Sequence, residues 1–301
     1  MNQYKFSVIV PVIYLTEYSR KALSDIAEKA RAYQDILFIL SCSDAVADEL
    51  RDIFLERDRA SNVVIAPSKI SGSNHLRQNG IKYAETEYIY YQDCDDEVDY
   101  QVIIDNLLSC MGNNVVCFNI RRRQYDEDGK VVDDRLLYPG KSYKVGNISQ
   151  LMTNIVNKLI PKASLEQVCF YNIPFSQDLS LSFQLYEKCP HYYCGHCAYL
   201  YENNYKSTAG LKKTKRESLL RVVAVERILL RLLLNKDNKA FVKYRYEIMI
   251  QGRFAYLKEC YWPSFSLRAI SPFSFGLRKS VGHLYHYVMA YLSCLRLRRH
   301  K

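Results

Sequence analysis

The chain has 301 residues, with 49% hydrophobic and 25% charged residues and a formal net charge of +10. That composition excludes a disordered, collagen-like or disulfide-scaffold chain and fits one large domain with an extension. The charge is uneven, with 20 Lys+Arg against 5 Asp+Glu from Lys212 onward and 22 against 27 before it, so an acidic body carries a basic carboxy-terminal region suited to an anionic partner.

"KFSVIVPVI" (Lys5 to Ile13) is a β-branched run that ends at Pro11 and is predicted as a central strand. It mimics a secretory start, but no small-residue cleavage site follows, so it is expected to remain as a buried strand. Glu17 to Tyr33 has helical spacing, with Leu23, Ile26, Ala27 and Ala30 on one face. "DILFIL" (Asp35 to Leu40) is a second strand. Asp44 to Asp58 reads as a helix with Asp44 as N-cap. "NVVIAP" is a third strand, "GSNHLRQNGIKYA" a loop leading into a helix, and "EYIYYQD" a fourth strand. This alternation predicts an α/β fold with a mostly parallel sheet covered by helices.

Further on, "VVCFNIRRRQYDEDGKVV" reads as two strands joined by a turn at Asp126 to Gly129. "SQLMTNIVNKLIPKASL" is predicted helical, followed by a turn. "IPFSQDLSLSFQLYEK" leads into a helix whose start carries Asp178, and "HYYCGHCAYLYENN" is strand-like. From Thr214 the pattern changes to long helices, with Thr214 and Glu217 at capping-box spacing. The expected boundary lies near Gly210, giving a domain at 1–210 and a basic helical extension at 211–301. Ten scattered cysteines read as reduced thiols in a cytosolic protein. No apolar run approaches the roughly 18 residues of a membrane span.

The stretch "EYIYYQDCDDEVDY" places Asp93, Asp95, Asp96 and Glu97 directly after a strand. Carboxylates so close repel one another, so the cluster is either a hydrated turn or a cation site. In open α/β sheets, ligands bind beyond the carboxyl ends of the strands. Mg²⁺ commonly takes one or two protein carboxylates and completes its shell with phosphate oxygens. "CPHYYCGHC" offers Cys194, Cys197, His191 and His196 to zinc, but strand alternation would send neighbours to opposite faces. An Asp-x-Asp phosphatase would need a small pair after the aspartates, where Asp96 and Glu97 stand.

Five segments in order resemble family 2 glycosyltransferases of the GT-A type: "FSVIVPVIYLTEYSRKALSDI", "RQNGIKYAETEYIYYQDCDDEVD", "NKLIPKASL", "IPFSQDLSLSFQL" and "YLYENNYKST". The resemblance covers about residues 5 to 210. It implies inverting transfer of a sugar from a nucleotide diphosphate sugar to a glycan or lipid-linked acceptor, in bacterial surface polysaccharide assembly. It implies that Asp93 and Asp95 hold Mg²⁺ or Mn²⁺, and that Asp96 faces the donor sugar or the metal. Arg77 would steady the donor site, and Pro11 and Val12 would form the loop near the base. Asp178 would be the catalytic base; without the resemblance it reads first as a helix cap. The chain departs from the family at Tyr14 and Thr16, at Ser41, Cys42 and Ser43 where an Asp usually contacts the nucleotide, and at Gln177 where a Glu is usual. Those departures keep open a second class, a non-catalytic scaffold with the same fold.

The carboxy-terminal stretch "FGLRKSVGHLYHYVMAYLSCLRLRRHK" has apolar residues at helical spacing and ends in Arg296, Arg298, Arg299 and Lys301. It is expected to make a peripheral contact with an anionic membrane, on the cytoplasmic face, and not with nucleic acid. The alternative is a helix packed on the catalytic domain with a solvated basic face.

Overall fold

In the computed structural model the amino-terminal segments fold as their patterns dictate. Residues 4–55, 61–107, 114–126, 128–137, 154–170 and 177–203 are described, and all of them belong to one compact unit. The expected helical extension at 211–301 and its boundary lie outside the described residues.

Phe6–Val12 (β1) and Ile36–Ser43 (β2) are buried almost throughout, as continuous β-branched runs require. Glu17–Ala32 (α1) connects them. Thr16 caps this helix through a reciprocal pair of bonds with Ser19, and Leu23, Ile26, Ala27 and Ala30 form its buried face. A 3-10 turn, Asp44–Val46, precedes Ala47–Leu55 (α2). Asp44 is therefore the first residue of that turn and not the cap; Ser43 precedes it, and its hydroxyl donates to the Ile13 carbonyl at 2.8 Å. Val63–Ser68 (β3), Ser73–Ile81 (α3) and Tyr88–Tyr91 (β4) complete the alternation.

Asp93 to Asp96 form the turn after β4. Glu97–Val98 (β5) and Tyr100–Asp105 (α4) follow, α4 being capped by Asp99. Val115–Tyr125 (β6) and Val131–Leu136 (β7) make the predicted hairpin, with Gly129 at φ 77° in the turn. Lys158–Pro161 (β8), Lys162–Leu165 (α5), Gln177–Lys188 (α6) and His191–Asn203 (β9) end the described chain.

Among the described residues nine strands form one sheet in the order β3-β2-β1-β4-β8-β6-β9-β5, with β7 paired to β6. β3, β2, β1 and β4 are mutually parallel. β8 is antiparallel to both β4 and β6, so β6 runs with β4, and β9 runs parallel to β6. Of the predicted helix over "SQLMTNIVNKLIPKASL", Lys158–Pro161 is instead a buried strand, while Lys162–Leu165 is helical as expected. A short apolar run satisfies both templates; the two neighbours that pair with Lys158–Pro161 decide between them.

Pro11 does not end β1 but lies within it, opposite Ser41. The Ile9 carbonyl accepts from Gln92 N–H at 3.1 Å, so Ile9 faces the β4 edge. Pro11 faces the same edge two residues later, beyond the last β1–β4 pair, Ile9 with Tyr91. Its missing N–H therefore leaves no ladder bond unmade. α3 lies so close to β1 that a Cβ on Gly80 would stand 2.5 Å from Ile9 Cγ2. That contact fixes the helix carrying Arg77 against the strand beside β4.

Candidate active site

Arg77 projects from α3 and is buried, its side chain only 3% exposed. One nitrogen, Nη2, donates to Asp93 Oδ1 at 2.8 Å, and the other, Nη1, donates to Asp178 Oδ1 at 2.6 Å. A single guanidinium, 101 residues before Asp178 in the sequence, thus joins the turn after β4 to the first turn of α6. Burial works against the Arg77 charge, but Asp178 and Asp93 more than offset it and hold its pKa above the ordinary value. The Tyr91 ring, 6.0 Å from the guanidinium carbon, closes the arrangement from the strand side.

The acidic turn is anchored from beneath. Gln92 donates to the Asp96 carbonyl at 2.8 Å and accepts from the Tyr100 hydroxyl. Asp96 N–H donates to the Asp93 carbonyl at 3.2 Å. The Asp96 carboxylate is 3% exposed and turned inward. It accepts from the Tyr199 hydroxyl at 2.6 Å and from Glu202 N–H at 3.1 Å. Tyr199 in turn accepts from Asp93 N–H at 3.3 Å. Burial, then the charges of Asp95 and Asp93, push Asp96 well above the usual carboxylate range.

Asp93 and Asp95 are the half-buried members of the cluster. Burial pushes Asp93 up and Arg77 opposes it. Burial, followed by the charge of Asp93, pushes Asp95 up to about 6. Burial is the first cause of both shifts; Arg77 offsets part of it at Asp93, whereas the neighbouring charge that Asp95 feels is the like charge of Asp93. Among the described residues no three His, Cys, Asp or Glu side chains group as a metal-binding set. The donor set thus fits a hard cation only if diphosphate or water oxygens complete its coordination. The same observation leaves the zinc reading of Cys194 and Cys197 without support. Those two residues flank Gly195, at φ 78°, where the β6–β9 register shifts.

The structure brings together Arg77, Asp93, Asp95 and Asp178. Asp96 adjoins them but is committed to Tyr199 and Glu202. Pro11 and Val12 are buried strand residues opposite Ser41 and Cys42, at the end of the sheet where β4 releases the acidic turn. Sequence reasoning missed Gln92, Tyr199 and Glu202. The "YLYENN" segment was the available signal for the last two, but nothing local assigns Tyr199 to Asp96.

This arrangement is that of a GT-A-like α/β sheet with its acidic turn at the carboxyl end of a central strand. The particular proteins it is similar to include S. aureus TarS. The TarS 1-349 structure in complex with UDP-GlcNAc matches with a TM-score of 0.60 at 12% identity, covering 96% of this chain and 88% of that one. TarS 1-349 alone matches at 0.57 and 14% identity, covering 98% and 91%. A longer TarS structure matches at 0.51 and 15% identity, covering 84% of this chain and 42% of that one. At these identities the likeness is one of fold. In sequence, the chain is 33% identical over 97 residues to the minor teichoic acid biosynthesis protein GgaB of Bacillus subtilis strain 168. That match covers 32% of this chain and 11% of GgaB, so the chain spans about a tenth of that relative. No family model matches the chain.

Proposed function

We propose that the chain is a family 2 glycosyltransferase that moves a sugar, with inversion, from a nucleotide diphosphate sugar to a glycan or lipid-linked acceptor. One observation carries this reading: Arg77 gathers Asp93 and Asp178, from distant segments, into one half-buried site. Asp178 keeps Oδ2 free of any bond among the described residues, and its side chain is 29% exposed. That oxygen accepts the proton of the acceptor hydroxyl as the hydroxyl attacks the anomeric carbon. Such general base catalysis is worth about 10²–10⁴-fold. Arg77 holds the base and the acidic turn in fixed relation. Asp93 and Asp95 would hold Mg²⁺ or Mn²⁺, which when bound supplies positive charge to the departing diphosphate.

UDP is the first nucleotide to try, because the solved TarS structures include complexes with UDP-GlcNAc and with UDP. The GgaB match motivates a surface-polymer acceptor. The proposed setting is the cytoplasmic face of the membrane, with contact through the basic region after residue 211. Among the described residues no helix is long and apolar enough to cross a membrane. Anionic-vesicle binding that is equal with and without residues 264–301 removes the membrane contact.

The second reading is a scaffold that keeps the fold. It is favoured by Ser41 and Cys42, which are fully buried in β2 and present no carboxylate to a nucleotide. Thermal shift with a panel of nucleoside diphosphates, with and without Mn²⁺, separates the two. A metal-dependent rise for one nucleotide is expected, since a ligand of the folded state raises apparent stability. No rise with any nucleotide at millimolar concentration leaves the scaffold.

A further inference from the structure

β6 carries three consecutive arginines, and strand alternation divides them. Arg121 and Arg123 share one face and are both neutralised. Arg121 donates to Asp134 at 2.6 and 2.9 Å, while Arg123 reaches Asp134 and Glu202, each at 3.4 Å. Arg122 faces the other way. Among the described residues its one hydrogen bond is to the neutral Gln124 Oε1 at 3.1 Å, and its Nε is buried with no partner. Across the ladder stands Arg135 of β7, itself paired with Asp133 at 3.2 Å, so among the described residues Arg122 has no ion-pair partner of its own. A half-buried guanidinium left so is costly unless something anionic completes it.

The register places Arg122 directly opposite Tyr201 of β9. The Tyr201 phenol feels the charges of Asp96, Asp95 and Asp93 as well as that of Arg122. β9 pairs with β6 on one edge and on the other with β5, which continues the acidic turn, Glu97 opposite Leu200, so Tyr201 stands between that turn and Arg122. β6 and β9 run in the same direction as β4, so both residues lie toward the end of the sheet that carries the acidic turn. They stand on the β6–β9 side of that turn, with β8 between them and β4, whereas Arg77 approaches from the β1 side.

We propose that Arg122 and Tyr201 form a phosphate-binding subsite for an anionic acceptor, a glycan or polyol polymer linked by phosphodiesters. The subsite deepens the transferase reading and rests on it for the word acceptor. Arg122 offers the planar fork that matches a phosphodiester, a group ionised at all physiological pH. Tyr201 adds a hydroxyl donor, kept protonated because burial, and then the neighbouring aspartates, push its pKa up to about 12. A repeat phosphate seated there would hold the acceptor beside the acidic turn. The donor diphosphate is the other phosphate source, and the titration below tells the two apart.

The test is equilibrium titration of the full chain with a short synthetic glycerol-phosphate oligomer, a neutral oligosaccharide of similar length, and UDP with Mn²⁺. The proteins are the parent, Arg122→Gln, Arg122→Lys, Tyr201→Phe and, as a control for non-specific charge, the exposed Lys82→Gln. Arg122→Gln is expected to weaken oligomer binding about tenfold or more, as loss of charge-assisted bonds does, and to leave UDP unchanged. Arg122→Lys recovers part of the loss, Tyr201→Phe shows a smaller one, and Lys82→Gln behaves as the parent. Equal oligomer binding by the parent and Arg122→Gln overturns the subsite, as does a parent that binds no oligomer. Loss of UDP binding as large as the loss of oligomer binding assigns Arg122 to the donor and also overturns it. A parent that binds no nucleotide yet shows Arg122-dependent oligomer binding removes the transferase reading and leaves the phosphate subsite standing. If Arg122→Gln does not fold, the Tyr201→Phe and Arg122→Lys titrations decide the matter.

Discussion

The two halves of the sheet are built by different means. β3, β2, β1 and β4 are parallel, joined by helices, and hydrophobic along nearly their whole length in β1 and β2. β8, β6, β9 and β5 mix directions and are paired across long sequence separations. The first half is a regular platform, and the second supplies the partners that hold the acidic turn: Tyr199, Glu202 and the start of β5. The site lies where they meet, and Arg77 from the first half secures Asp178 from the helix that leads into β9 of the second. Function at such a junction depends on pairings that neither half specifies alone.

Substitutions at the junction test this division most sharply. Asp178→Asn keeps an oxygen for Arg77 but cannot take a proton. Transfer should fall by about 10²–10⁴-fold while nucleotide binding and melting temperature stay close to the parent, as followed by product assay and thermal shift. Retained transfer would move the base elsewhere. Arg77→Met leaves two half-buried carboxylates facing each other without their cation. Removing one partner of a buried ion pair costs about 3–5 kcal/mol, so denaturant unfolding should show a large loss that Asp93→Asn and Asp178→Asn together partly relieve.

Asp95 gives a smaller, pH-dependent effect. Its folded pKa of about 6 lies above the unfolded value, about 3.9. The neutral carboxyl therefore favours folding below about pH 4, and that advantage is lost as the pH rises through about 6. Asp95→Asn should thus stabilise the metal-free protein at pH 7 by on the order of 1–3 kcal/mol and do little at pH 4. A stability difference that is flat from pH 4 to 7 would show that the turn is fully hydrated. Within the platform, Gly80→Ala brings a methyl group into Ile9, and the overpacking should exceed the gain in helix propensity by roughly 1 kcal/mol. The least effect is expected in the hairpin of the second half, where Asp134→Ala removes only exposed ion pairs and should leave the melting temperature nearly unchanged.

Much of the platform was legible before any coordinates. The strands around Val8, Phe38 and Ile89 announce themselves by uninterrupted apolar runs, and α1 by its 3.6-residue spacing. Asp93, Asp95 and Asp178 stood out as carboxylates at strand and helix ends. The second half was harder. Lys158–Pro161 was expected to be helical because four residues carry too little periodicity to choose. Asp44 was expected to cap a helix because composition does not reveal a preceding 3-10 turn.

The sequence by itself determined the local elements and the kinds of groups available, because periodicity, caps and turns act over a few residues. It determined that acidic side chains crowd the end of a strand. Only the tertiary structure decided which of them are free. Asp96 is committed to Tyr199 and Glu202, Asp93 and Asp178 share Arg77, and among the described residues Arg122 has no ion-pair partner. Those outcomes depend on strand order and register between segments about 80 to 100 residues apart, and such long-range pairings leave no local trace in the chain.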